Sequence, residues 1–233
     1  ICRDDFGLYM FDGSALYDYS DPKIRDNEVW GTANLDLGKG LTQSFLYSNA
    51  MFWLKYFHVD GFRVDAISHI NKEKGLKDMP NPDNLKYVSS FDKHMNVDGI
   101  HKYLKEIKDN TYGKYDVMTV GEANGVTPDD AHLWVSEEDG KFNMVFQFEH
   151  IGLDQIEGKE KWDLKPLELL DLKKVLSKWQ VELEGQGWNS LFWNNHDLPR
   201  IVSRWGNDKE YRIESAKMFA TLLHGMTGTP YIY

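Results

Sequence analysis

Strand-length apolar runs and helix-length patterns alternate along this chain, and that alternation constrains its fold more than any other feature. From Thr42 to His58 the residues Leu46, Ala50, Trp53, Leu54 and Phe57 recur at helical spacing. The turn signal Asp60-Gly61 leads into a strand over 61–67, and a polar stretch over 71–97 with Pro80 and Pro82 reads as a long loop. Ile100, Leu104 and Ile107 mark the next helix, and 116–122 the next strand. A loop marked by Pro and Asp separates that strand from another at 142–150. A helix carrying Leu169, Leu172, Leu176 and Trp179 precedes a strand at 190–197. Ile213, Ala216, Ala220 and Leu223 mark a last helix before a strand at 229–233. Residues 1–40 read as irregular, with a short strand near 30–37. About five strands alternating with helices predict a parallel α/β architecture.

Three of these strands end in a carboxylate: Asp65 in DGFRVDA, Glu122 in VMTVGEANG and Asp197 in FWNNHDLPR. Acids at the strand ends of a repeating strand–helix chain are where a parallel α/β barrel keeps its chemistry. Two carboxylates cleave a glycosidic bond, one as nucleophile and one as acid/base, while a third holds the sugar as positive charge develops. Strand alternation puts Arg63 and Asp65 on one face, where the guanidinium favours the ionised carboxylate a nucleophile needs. Taken singly, the pair is equally a surface ion pair worth little. Glu122 follows Met118 and Val120 on its face, an apolar approach that raises a carboxyl pKa and suits a general acid. In 190–197, Leu191, Trp193, Asn195 and Asp197 face one way and His196 the other.

The bulk properties narrow the partners. A net charge of −10 argues against nucleic acid or an anionic membrane surface. No apolar stretch approaches the roughly 18 residues of a membrane span. The single cysteine, Cys2, forms no internal disulfide, which points to a reducing, cytoplasmic compartment. The 8 Trp, 12 Tyr and 12 Phe suit sugar faces as well as a core. At 233 residues the chain is short for a barrel of about 250, and with Ile1 first and Tyr233 last it reads as a piece of a larger protein.

Other chemistries lack their signatures. His69, Asp65 and Glu122 have no His-x-x-x-His or similar pairing to support a metal site. No Gly-x-Ser-x-Gly elbow marks a serine hydrolase, and no glycine-rich loop a phosphate cradle. No cofactor is expected.

DGFRVDAISH, VGEANG and NNHD together resemble the signatures of the α-amylase superfamily of glycoside hydrolases. That resemblance implies a (β/α)8 TIM barrel, here incomplete with roughly strands 4 to 8, and a retaining mechanism. It implies Asp65 as nucleophile, Glu122 as acid/base and Asp197 as the acid that binds hydroxyls of the distorted ring. Arg63 would position Asp65, and His69, His196, Asn124 and Arg200 would contact the sugar. The early barrel strands and their Asn-His motif are missing, so residues 1–233 alone are expected to be unstable or inactive.

The finer resemblance changes along the chain. Residues 61–233 are similar to bacterial α-glucosidases, with oligo-1,6-glucosidases and trehalose-6-phosphate hydrolases in the same group. Residues 1–60, through FDGSALYDYSDP and EVWGTANLDLGKG, resemble glycogen-branching enzymes. Ala66 resembles the members that prefer α-1,4 links, where α-1,6-preferring ones usually carry Val. The expectation is a retaining α-glucosidase acting on short α-1,4-linked, alternatively α-1,6-linked, gluco-oligosaccharides. A branching transferase, a trehalose-6-phosphate hydrolase and a non-enzymatic sugar-binding accessory domain are the rivals.

Overall fold

The computed structural model describes residues 13–27, 30–73, 75–84, 88, 90–156, 159 and 162–233. Cys2, the start of the FDGSALYDYSDP motif, Glu28 and Val29 of EVWGT, and part of the long loop lie outside the described residues. The chain divides into two compact units, Ile1–Phe62 with Ser68–Val117, and Arg63–Ile67 with Met118–Tyr233.

In the first unit, helix α1 (Pro22–Arg25) leads into a short antiparallel pair, β1 (Asp26–Asn27) and β2 (Thr32–Ala33). Helix α2 (Gly40–Tyr56) forms where the spacing predicted one, but of the residues that marked it only Leu54 is buried. Its buried Thr42 hydroxyl donates to the Tyr17 carbonyl at 2.7 Å. Phe52, Trp53 and Tyr56 remain largely exposed. Strand β3 (Gly61–Val64) ends sooner than the sequence suggested, because Ile67–His69 winds into a 3-10 turn. The long loop contains a further 3-10 turn, Phe91–His94. Helix α3 (Ile100–Asn110) buries Ile100 and Leu104, one turn apart on its apolar face.

The second unit takes Arg63 and Val64 of β3 into a sheet of order β3-β4-β5, with β4 at Met118–Glu122 and β5 at Met144–Phe146. β4 and β5 are parallel, with Val120 opposite Met144 and Glu122 opposite Phe146. The crossover between them is a helix, α4 (Pro128–Val135), where the sequence reading expected a loop. The signal was present: Thr127 and Asp130 form a reciprocal capping box around Pro128 at the first helical position. Gly121 keeps β4 close to its cover, since a Cβ there would lie 3.0 Å from Ile67 and 3.3 Å from the Phe142 ring.

Helix α5 (Leu169–Glu182) precedes β6 (Ser190–Leu191), and helices α6 (Ile201–Trp205) and α7 (Arg212–Gly225) cross over to β7 (Thr229–Pro230), parallel to β6. Leu172, Leu191, Trp193, Ile201, Phe219 and Leu223 form the core beneath this pair. Burying such side chains contributes roughly 1.5–3 kcal/mol each. The strand expected over 190–197 thus stops at Leu191, and residues 194–198 form a turn.

Candidate active site

Strand β3 and the turn after it deliver two chemical groups within three residues. Arg63 donates through Nη1 to Oδ1 of Asp65 and through Nη2 to Oε2 of Glu122 at the end of β4. One guanidinium therefore holds both carboxyls. Ala66 sits in the left-handed region at φ 44°, and its N–H donates to the same Glu122 oxygen at 3.3 Å. Such a backbone costs a non-glycine residue about 1–2 kcal/mol. The interactions that fix the turn offset it.

The two acids differ in setting. The Asp65 side chain is 75% exposed, that of Glu122 only 19%. Burial pushes the Asp65 carboxyl up, but hydrogen bonds to Arg63 and Glu122 and the charges of Arg63 and His196 outweigh it, holding the group below its ordinary value. Burial pushes Glu122 up, the Ala66 N–H and Arg63 oppose this, and the neighbouring Asp65 carboxyl adds to the rise, leaving it above its ordinary value. Of the two apolar residues expected on its approach, Val120 is buried and Met118 half exposed. Two carboxyls pushed in opposite directions suit a base or nucleophile beside an acid.

The third acid lies on the turn beyond β6. Asn195 Oδ1 accepts the Asp197 N–H at 2.9 Å and Asn194 Oδ1 accepts the Ile201 N–H at 3.1 Å, so asparagine side chains replace the ladder there. Strand alternation consequently fails. His196, expected on the opposite face, lies with Nε2 3.5 Å from Asp197 Oδ2, both side chains more than half exposed.

A cavity of about 180 Å³ brings together Arg63, Glu122, Asn194, Asn195 and His196. Its far wall is aromatic, formed by Phe146, Phe148, Phe192 and Tyr231, with Phe146 edge-on to Tyr231 at 4.6 Å between ring centroids. These rings are not among the residues expected from the sequence. The Phe-x-Phe spacing of 146 and 148 was the available signal, but their partners Phe192 and Tyr231 are remote in sequence.

The remaining candidates fall elsewhere. Asn124 is half buried in the turn following Glu122. Arg200 donates to the Tyr233 carbonyl and lies 4.5 Å from that ring's centroid, lining a neighbouring cavity of about 260 Å³. His69 belongs to the first unit, buried against Phe91 and Trp30, with its Nδ1 3.3 Å from that of His94. Burial, aided by the charges of His94 and Lys72, lowers its pKa to about 4, so the ring is neutral at pH 7. Among the described residues, no group of three or more His, Cys, Asp or Glu is placed to hold a metal ion. No helix among them is long and apolar enough to cross a membrane.

Paired acids at the ends of strands in an alternating strand–helix chain are the pattern of an α/β barrel domain. Residues 29–233 match the α-amylase catalytic domain model, and the chain belongs to that family. It is 55% identical over 188 residues to an oligo-1,6-glucosidase of Halalkalibacterium halodurans, covering 81% of this chain and 33% of that protein. It is 47% identical over 192 residues to an alpha-glucosidase of Pediococcus pentosaceus, covering 81% and 34%. A crystal structure of Bacillus licheniformis trehalose-6-phosphate hydrolase superposes with a TM-score of 0.75 at 35% identity, over 97% of this chain and 40% of that one. The chain thus spans about a third of the length of these curated relatives.

Proposed function

We propose that the protein to which this chain belongs is a retaining α-glucosidase of short gluco-oligosaccharides. The observation that carries this reading is the Arg63 fork, which holds an exposed Asp65 whose carboxyl is pushed down beside a half-buried Glu122 whose carboxyl is pushed up. In the first step an Asp65 oxygen attacks the anomeric carbon as the glycosidic C–O bond breaks, and the Glu122 proton passes to the leaving oxygen. Glu122, now a carboxylate, takes a proton from water as that water displaces Asp65, releasing glucose with its α configuration. Arg63 keeps Asp65 ionised and aimed. Asp197, beside His196, binds hydroxyls of the ring as charge develops, and the aromatic wall covers an apolar sugar face. Asn124 and Arg200 complete the proposed sugar contacts, Arg200 after release from Tyr233.

Linkage is proposed to be α-1,4, with α-1,6 also cleaved: Ala66 supports the first, and relatives described as oligo-1,6-glucosidases support the second. The full-length protein should release glucose from maltose and isomaltose, with the newly formed anomer seen by proton NMR. Iodine-stain changes on amylose without new reducing ends would instead indicate the glucan transferase that residues 1–60 resemble. Failure on both disaccharides with turnover of trehalose 6-phosphate would assign the third activity.

A further inference from the structure

β6 pairs with β7 as far as Leu191, whose carbonyl takes the Tyr231 N–H at 2.7 Å. The next carbonyl, that of Phe192, lies past the ladder and is met by a side chain instead. His150, 2% exposed, places Nε2 2.7 Å from the Phe192 oxygen. A carbonyl only accepts, so Nε2 carries the proton. Nδ1 then accepts from the Gln147 amide nitrogen at 2.9 Å, and Gln147 Oε1 accepts the Glu149 N–H at 2.8 Å, which fixes the amide's orientation. Both ring nitrogens are committed. The same imidazole stands edge-on to the Phe192 ring, 4.8 Å between centroids.

Two residues beyond Phe192 the chain enters the turn that carries Asn194, Asn195, His196 and Asp197. Its far end is tied by Asn194 Oδ1 to Ile201 N. Trp193 between them is buried, with Nε1–H donating to the Phe219 carbonyl at 2.9 Å. His150 is thus the near anchor of the third-acid turn and the brace of one aromatic wall of the cavity.

We infer that His150 is a positioning residue for this site: its Nε2–H bond to the Phe192 carbonyl, oriented by Gln147, sets where His196 and Asp197 leave β6. In catalytic terms the inference rests on the glucosidase reading. Neutral imidazole is the required form, and burial, with the Arg204 charge adding to it against the Phe192 bond, keeps the pKa at about 4.

The test pairs amide hydrogen exchange of 192–198 with steady-state hydrolysis of p-nitrophenyl α-glucoside, using the full-length protein. His150→Leu should speed exchange in 192–198 and lower kcat, each by about tenfold, the scale of one buried hydrogen bond. Exchange in 118–123 and KM should stay near wild type. His150→Gln, whose amide still donates, should restore both readouts. Wild-type behaviour of a folded His150→Leu protein, or a Gln variant as impaired as Leu, would overturn the inference. Should the Leu variant not fold, Gln147→Met frees the ring to take the other tautomer and should raise exchange in 192–198 by severalfold. Unchanged exchange there would equally overturn it. Exchange is read without substrate, so an inactive wild-type protein would reject the glucosidase reading while leaving the positioning claim tested.

Discussion

Arg63 reaches Glu122 as well as Asp65, although 59 residues separate Arg63 from Glu122 in sequence. The charge that lowers the Asp65 carboxyl therefore also bears on Glu122, and the pair responds to one side chain. Arg63→Lys supplies a point charge without the fork. It should lower kcat by about 10²-fold, as loss of one preorganised donor does, with a much smaller change in KM. Steady-state kinetics on maltose checks this.

The proposed mechanism needs Asp65 ionised and Glu122 protonated. As pH falls through the lowered Asp65 value, the nucleophile is protonated and rate is lost. As pH rises through the raised Glu122 value, the acid is lost. The profile of kcat/KM should be bell-shaped, its limbs belonging to the coupled pair. Glu122→Gln should remove the basic limb for a substrate with a good leaving group; a limb that survives unchanged would assign it to another residue.

Asp65→Asn should reduce turnover by more than about 10³-fold, as removal of a nucleophile does, while maltose still binds. Isothermal titration beside the kinetics separates the two.

A structural prediction concerns the turn after β5. Asp154 and Arg204 form an ion pair with both side chains 3% exposed, and Trp205 Nε1 donates to Asp154 at 2.8 Å. Asp154→Leu strands the arginine charge and should destabilise the protein by about 3–5 kcal/mol, whereas Asp154→Leu with Arg204→Met should cost much less. Urea unfolding of both variants measures the difference.

Lys72 makes a different kind of prediction. Its ammonium donates to the His69 carbonyl at 2.7 Å, and burial lowers its pKa to about 8. Between that value and the ordinary 10.5 the unfolded chain holds more protons than the folded one, so stability rises with pH through this window. Lys72→Met should flatten that rise.

Local patterns carried the parts of this molecule that were legible in sequence. The spacing of Leu46, Trp53 and Phe57 foretold α2, and the alternation of Arg63 and Asp65 foretold their contact, although a turn rather than a strand completes it. Periodicity failed where side chains took over from the backbone. Asparagines ended β6 early and turned His196 toward Asp197, and a capping box made a helix of a segment that Pro and Asp had marked as loop. The aromatic wall and the Glu122 bond to Arg63 were illegible because they join residues brought together only by the sheet.

The most direct test of the double-displacement account is mass spectrometry of the full-length protein after reaction with 5-fluoro-α-glucosyl fluoride, which forms the glycosyl-enzyme faster than water clears it. The account predicts one added fluoroglucosyl group, located by peptide mapping on Asp65 and absent from Asp65→Asn. Turnover of maltose with inversion of configuration and no adduct, or an adduct on any other residue, would contradict it.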